Sequence, residues 1–295
     1  MMSTKKKLLI AVALIIAGTL AALLVVTPQA PPEVPLPNPN GYDDFIKAGG
    51  LISSTIPNWT DLSSDGWHAL VASNMSALEL VQAGLQKQCR VVPCDLTSIS
   101  NNHMNDLASL KRTAQAFAAA SRLALADGHT NEAATLALDC MRFGQESARG
   151  GVLIHGLVGL AIQAIGRTRL EEALPGMDAK TSRKVLDGLK ELVDKREVPA
   201  EVWKSEGQWA RRGRFGQVNF IMILATPFLQ RDMRKKTDQK FAKGFSELQQ
   251  STVHAAAHAY EVDHGKPPAA PRELVPGYLK TIPIDATTGK EIPLN

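Results

Sequence analysis

The stretch 107-LASLKRTAQAFAAASRLALADGHTNEAATLALDCMRFGQES-147 decides the fold class. Leu107, Leu110, Ala114, Phe117, Ser121 and Ala124 recur three or four positions apart, the spacing that puts side chains on one face of an α-helix. Asp127-Gly128 ends that stripe. Thr130 then stands where an N-cap is expected, ahead of a second stripe of Ala133, Leu136, Cys140 and Phe143. Two helices, Leu107 to Ala126 and Asn131 to Ser147, joined by so short a turn lie antiparallel. The whole chain is rich in alanine and leucine, only 5% aromatic and poor in β-branched runs, so a mainly α fold packed through small side chains is predicted.

The same period extends outward from this hairpin. Trp67, Leu70, Val71, Leu78, Val81 and Leu85 form one stripe, with Ser63 or Ser64 as its N-cap. Val152 to Ile165 is apolar nearly all round and too short to span a bilayer, which predicts a central core helix containing His155, with Gly151, Gly156 and Gly159 allowing close packing. Asp178 opens a helix bearing Val185, Leu186, Leu189, Leu192 and Val193, and Pro199 suits the first turn of the next, which carries Trp203, Glu206 and Trp209. A long helix from about Asp238 to Asp263 turns Phe241, Phe245, Leu248, Thr252, Ala255, Ala259 and Val262 inward and stops at Gly265. Between the two, the basic-flanked run Val218 to Leu229 reads as a buried strip more readily than as an in-plane membrane helix, because Pro227 interrupts it. Asp43 to Asp61, with Gly49-Gly50 and Pro57, is expected to be irregular.

At the N-terminus Lys5, Lys6 and Lys7 precede Leu8 to Val26, an uncharged apolar run, and this is the positive-inside pattern of a segment that sends the rest of the chain out of the cytoplasm. Pro28 and Pro31 suit signal cleavage poorly, so an uncleaved anchor is expected over a removed signal. Six prolines between Thr27 and Asn40 make an extended spacer. The expected organisation is a basic cytoplasmic stub at 1–7, a transmembrane anchor at 8–26, a spacer at 27–40, a helical domain at 41–237, and a long helix with an irregular tail at 238–295. The formal charge of +4 rests on the three leader lysines, since the remaining chain has 30 basic against 29 acidic residues. That balance predicts no nucleic-acid partner.

The sharpest chemical candidate is His254-Ala-Ala-Ala-His258-Ala-Tyr-Glu261-Val-Asp-His264. Its histidine spacing is similar to that of metzincin zinc proteases, but Ala255 stands in place of their general-base glutamate and Glu261 in place of their turn glycine. Metal binding by His254, His258 and His264 is the sharper reading, and surface histidines on an alanine-rich helix the plainer one. Cys89 and Cys94 are placed to close a small disulfide loop in an oxidising compartment, leaving Cys140 buried, or else all three are free thiols. Phosphate-loop, dinucleotide-turn and nucleophile-elbow motifs do not occur, and no cofactor is expected. The pairs Asp43-Asp44 and Glu171-Glu172 read as solvated faces. Asn58 and Asn74 head glycosylation tripeptides.

Two resemblances add expectations. The hairpin resembles a single tetratricopeptide unit, and without a second copy it implies packing and no peptide-binding solenoid. The tail carries Asp263-His-Gly265-Lys-Pro267, Leu274-Val-Pro276 and Pro283-Ile-Asp285-Ala286-Thr-Thr-Gly289. It resembles the C-terminal module of the type II secretion major pseudopilin, with Ala286 in place of a proline. Leu8 to Val26 lacks the pilin glutamate and peptidase site, so the likeness implies at most an accessory place in a secretion or pilus-like system. Arg149-Gly-Gly151 to Leu170, together with that tail, is similar to bacterial membrane-anchored helical proteins that carry no activity to transfer. A tethered helical domain of the inner membrane, facing the periplasm and binding another envelope protein, is therefore the expected function. A zinc-dependent hydrolase is the alternative.

Overall fold

The structure, a computed structural model, describes residues 34–52, 56–93, 101–212 and 231–294. The expected anchor at 8–26, the first part of the spacer, Cys94 and the run Val218 to Leu229 lie outside the described residues. Among the described residues there are eight α-helices: α1 (Gly41–Leu51), α2 (Ser64–Gly84), α3 (Asn101–Ala126), α4 (Thr130–Glu146), α5 (Leu153–Ala173), α6 (Ala179–Asp194), α7 (Pro199–Arg212) and α8 (Arg231–His264). Extended backbone pairs among them only at an isolated antiparallel bridge between Ile284 and Glu291, so the fold is mainly α.

Local chemistry explains the helix ends. The Ser63 hydroxyl accepts the Gly66 N–H at 3.2 Å to start α2, and the Asp178 carboxylate accepts that of Thr181 at 2.7 Å to start α6. Thr130 is the first residue of α4, and His129 occupies the cap position without a side-chain bond. Gly128 (φ +80°) turns the chain between α3 and α4 in a conformation that side chains rarely adopt.

α1 corrects the expectation of irregular chain from Asp43 onward. Asn40 caps it, its Oδ1 accepting from Tyr42 N at 3.2 Å and Arg90 N at 2.9 Å, while its Nδ2 donates to the Arg90 carbonyl at 2.8 Å. Asp43 and Asp44 sit in the first turn, where the helix dipole favours carboxylates. Gly49 is a contact residue and no breaker, since a Cβ there would lie 2.3 Å from the Ser109 hydroxyl oxygen.

α4 is the central helix. Leu136, Cys140 and Phe143 join a cluster with Phe45, Leu78 and Phe117 from α1 to α3, where the Phe45 and Phe143 rings meet edge to face at 5.1 Å. Ala134, Ala137, Leu138 and Met141 join a second cluster with α5, α6, α8 and the tail. Two buried faces are more than the single stripe predicted. α4 and α5 pack backbone to backbone, because a Cβ on Gly159 would come within 2.5 Å of the Gly144 carbonyl oxygen and one on Gly166 within 2.8 Å of that of Ala137.

α8 runs parallel to α5, as Gly156 against Phe241, Gly244 against Leu160 and Arg167 against Glu247 show. It begins at Arg231, well before the expected Asp238. Leu248, Thr252, Ala255 and Ala259 are buried as predicted, whereas Val262 is exposed. The tail after Gly265 makes a short 3-10 turn at Pro271–Leu274 and sends Leu274, Leu279 and Ile292 into the second cluster.

Candidate functional site

Where the chain reaches the domain, Pro35 and Pro37 form one wall of a cleft of about 700 Å³. The loop after α2 supplies Lys87 and Arg90, α4 and the turn after it supply Arg142 and Arg149, and the end of α6 supplies Glu191 and Lys195. These elements converge because Asn40 ties the start of α1 to Arg90 and because Val91 N donates to the Arg149 carbonyl at 2.9 Å.

The cleft is charged and internally paired. Arg149 holds Glu146 through two bonds of 2.6 Å and reaches the Lys195 carbonyl at 3.2 Å, joining the ends of α4 and α6. The Glu146 hydrogen bond holds the Arg149 guanidinium above its ordinary range. Arg142 lies 3.5 Å from Glu191, which also accepts from Lys195 at 2.6 Å and is thereby held below its ordinary range. Lys87 pairs with the buried Asp44. The reading of Asp43-Asp44 as a solvated pair is corrected for Asp44, whose side chain points to Lys87. Arg90 lies over Gly150, and the Gly150 N–H bonds Glu197 at 2.8 Å; burial pushes that carboxyl up.

Cys89 lines this cleft with its thiol 3.6 Å from the Gly84 carbonyl oxygen, and burial pushes it up to about 12, so it is protonated and a poor nucleophile. Its pairing with Cys94 lies outside the described residues. Cys140 is fully buried and its thiol is also pushed up by burial.

The three candidate metal ligands do not converge. The His254 ring lies between Glu171, 2.9 Å from Nδ1, and Gln250, 2.7 Å from Nε2. His258 Nε2 faces the Met177 carbonyl at 3.4 Å, and His264 bonds the Tyr260 carbonyl at 2.9 Å while stacking on the Tyr260 ring. All three lie on α8, and among the described residues no three His, Cys, Asp or Glu side chains form a group able to hold a metal. Ala255, at the position of the protease base, is fully buried.

One residue of this network escaped the sequence. Glu171 accepts from Ser251 at 2.6 Å as well as facing His254. Burial works against its charge, but the His254 and Ser251 hydrogen bonds outweigh it and hold the carboxyl below its ordinary range. Adjacent glutamates on a helix point apart, so Glu171 turns to α8 while Glu172 takes Arg169 at 2.8 Å. Asn74 is buried and bonds the Leu70 carbonyl at 2.9 Å, so its tripeptide does not present an accessible glycan acceptor.

Among the described residues no helix is long and apolar enough to cross a membrane. Comparison with protein-family models, with curated proteins and with solved structures gave no match.

Proposed function

We propose that this chain is a membrane-anchored, extracytoplasmic helical interaction or scaffold protein of the cell envelope, whose cleft holds a charged polar segment of a partner protein. The observation that carries the reading is the position of Pro35 and Pro37. The end of the proline spacer forms a wall of the cleft, so whatever the cleft holds sits beside the tether. A volume of about 700 Å³ suits a short segment. The lining of Lys87, Arg90, Arg142 and Lys195 with Glu146 and Glu191 favours a segment bearing both signs of charge over an apolar ligand.

A photo-crosslinking residue placed at Gln86, exposed beside the cleft, and another at Lys180, in the first turn of α6, test this in intact cells carrying the full chain. A discrete adduct of one mass is expected from position 86 and not from 180. Equal adducts from both positions, or none from either, would overturn the proposal.

A further inference from the structure

We propose that the exposed first turns of α8 form a cationic face that binds the anionic phospholipid headgroups of the bilayer holding the chain; this rests on the anchored reading above. Arg231 to Lys243 carries six basic side chains, Arg231, Arg234, Lys235, Lys236, Lys240 and Lys243, against Asp232 and Asp238. In a chain otherwise balanced in charge this is a local excess. Residues 231–236 are all exposed, as are Lys240 and Lys243. Lys243 approaches Glu247 at 3.9 Å and Arg234 lies over the Trp203 ring at 5.2 Å. Arg231, Lys235, Lys236 and Lys240 have no carboxylate partner among the described residues. Asp238 is occupied by the Trp203 indole N–H at 2.8 Å.

The fold puts this face at the tethered end. Because α8 runs parallel to α5 with Phe241 against Gly156, the start of α5 at Leu153 falls level with Asp238. Residues 231–237 therefore run on beyond α5 by about 10 Å at the helical rise. α5 begins just after Arg149, in the same cleft wall that Pro35 and Pro37 face. The opposite end of the molecule holds the start of α6 and the end of α8, joined by Arg183 and Asp263 at 2.9 Å. From Thr27 to Pro35 the chain cannot stretch beyond about 30 Å. An anchor ending at Val26 thus keeps the cationic face within reach of the lipid surface. Basic side chains near such a surface are attracted by its anionic lipids over roughly a Debye length.

The test uses the full chain reconstituted into phosphatidylcholine vesicles with or without phosphatidylglycerol, and a membrane-impermeant amine-acylating reagent read by mass spectrometry. With phosphatidylglycerol, acylation of Lys235, Lys236 and Lys240 should fall several-fold relative to Lys180 and Lys266, which lie toward the opposite end, and should recover in high salt. Equal acylation in both lipids, from a chain that floats with both vesicles, overturns this proposal and leaves the anchor standing. Flotation only with phosphatidylglycerol, reversed by salt, supports the cationic face and removes the anchor reading. Equal protection of the same lysines by duplex DNA would make the face a general polyanion site and overturn the lipid assignment.

Discussion

His155 shows how far one buried side chain can set the acid response of the fold. It is 1% exposed, in the first turn of α5. Its Nδ1 accepts the Val152 N–H at 3.2 Å, and its Nε2 is buried without a hydrogen-bond partner. The rings of His103 and Trp209 stand 4.9 and 5.6 Å away. Burial first, and His103 second, lower its pKa to about 3. The folded state therefore keeps the ring neutral while the unfolded chain takes up a proton below its ordinary value. The contribution to stability is complete above about pH 6.5 and is lost as pH falls toward about 3, at up to about 1.4 kcal/mol per pH unit. His155→Asn retains an acceptor near Nδ1 but cannot titrate. Urea midpoints measured at neutral and mildly acidic pH should fall steeply in the parent and much less in the variant. Equal slopes would assign the acid response to other groups. The sequence identified His155 as a core residue from its apolar surroundings, but could not foresee Glu171 as the partner of His254, because that contact spans 83 positions and depends on α5 and α8 running parallel.

At the scale of elements, what was legible was what has a local cause. Periodicity and caps placed α2 to α7 to within a few residues at most of the ends that could be judged, since the stripe, the N-cap and the terminating glycine all lie within one segment. α1 was missed for the opposite reason. Its Gly49-Gly50 reads as a break, and only the contact of Gly49 with Ser109, 60 positions away, explains a glycine there. The candidate site was less legible still, because its walls come from four separate segments whose charges are solvated faces when read singly. Glycines likewise differ by what they meet. Gly159→Ala would force a methyl against the Gly144 carbonyl and should destabilise by about 1–3 kcal/mol. Gly207, inside α7, has nothing within 4 Å of its would-be Cβ, and Gly207→Ala should stabilise by up to about 1 kcal/mol through helix propensity. Thermal or urea unfolding of the two variants would separate close packing from propensity, and similar effects at both sites would refute the backbone contact between α4 and α5.

At the scale of the whole molecule, the tail behaves as part of the core. It contains almost no regular structure, and Lys266 onward is largely exposed, yet Leu274, Leu279 and Ile292 are each at most 4% exposed within the cluster that holds α4, α5, α6 and α8. Ser246 of α8 donates to Asp285 at 2.6 Å and pins the turn that Gly289 closes with φ +70°. That bond and those from Thr287 hold the Asp285 carboxyl well below its ordinary range. Burying each of the three apolar side chains is worth about 1.5–3 kcal/mol, roughly 4.5–9 kcal/mol together, against a total stability of about 5–15 kcal/mol for a folded domain. A chain ending at Gly265 should therefore keep much of its far-ultraviolet helical signal but lose a sharp urea transition. Leu274→Ala alone should cost about 2–5 kcal/mol. If the shortened chain unfolded with the parent's midpoint and cooperativity, the tail would be an appendage lying on a core that is complete without it, and the burial of Leu274 and Ile292 would carry no weight in the fold.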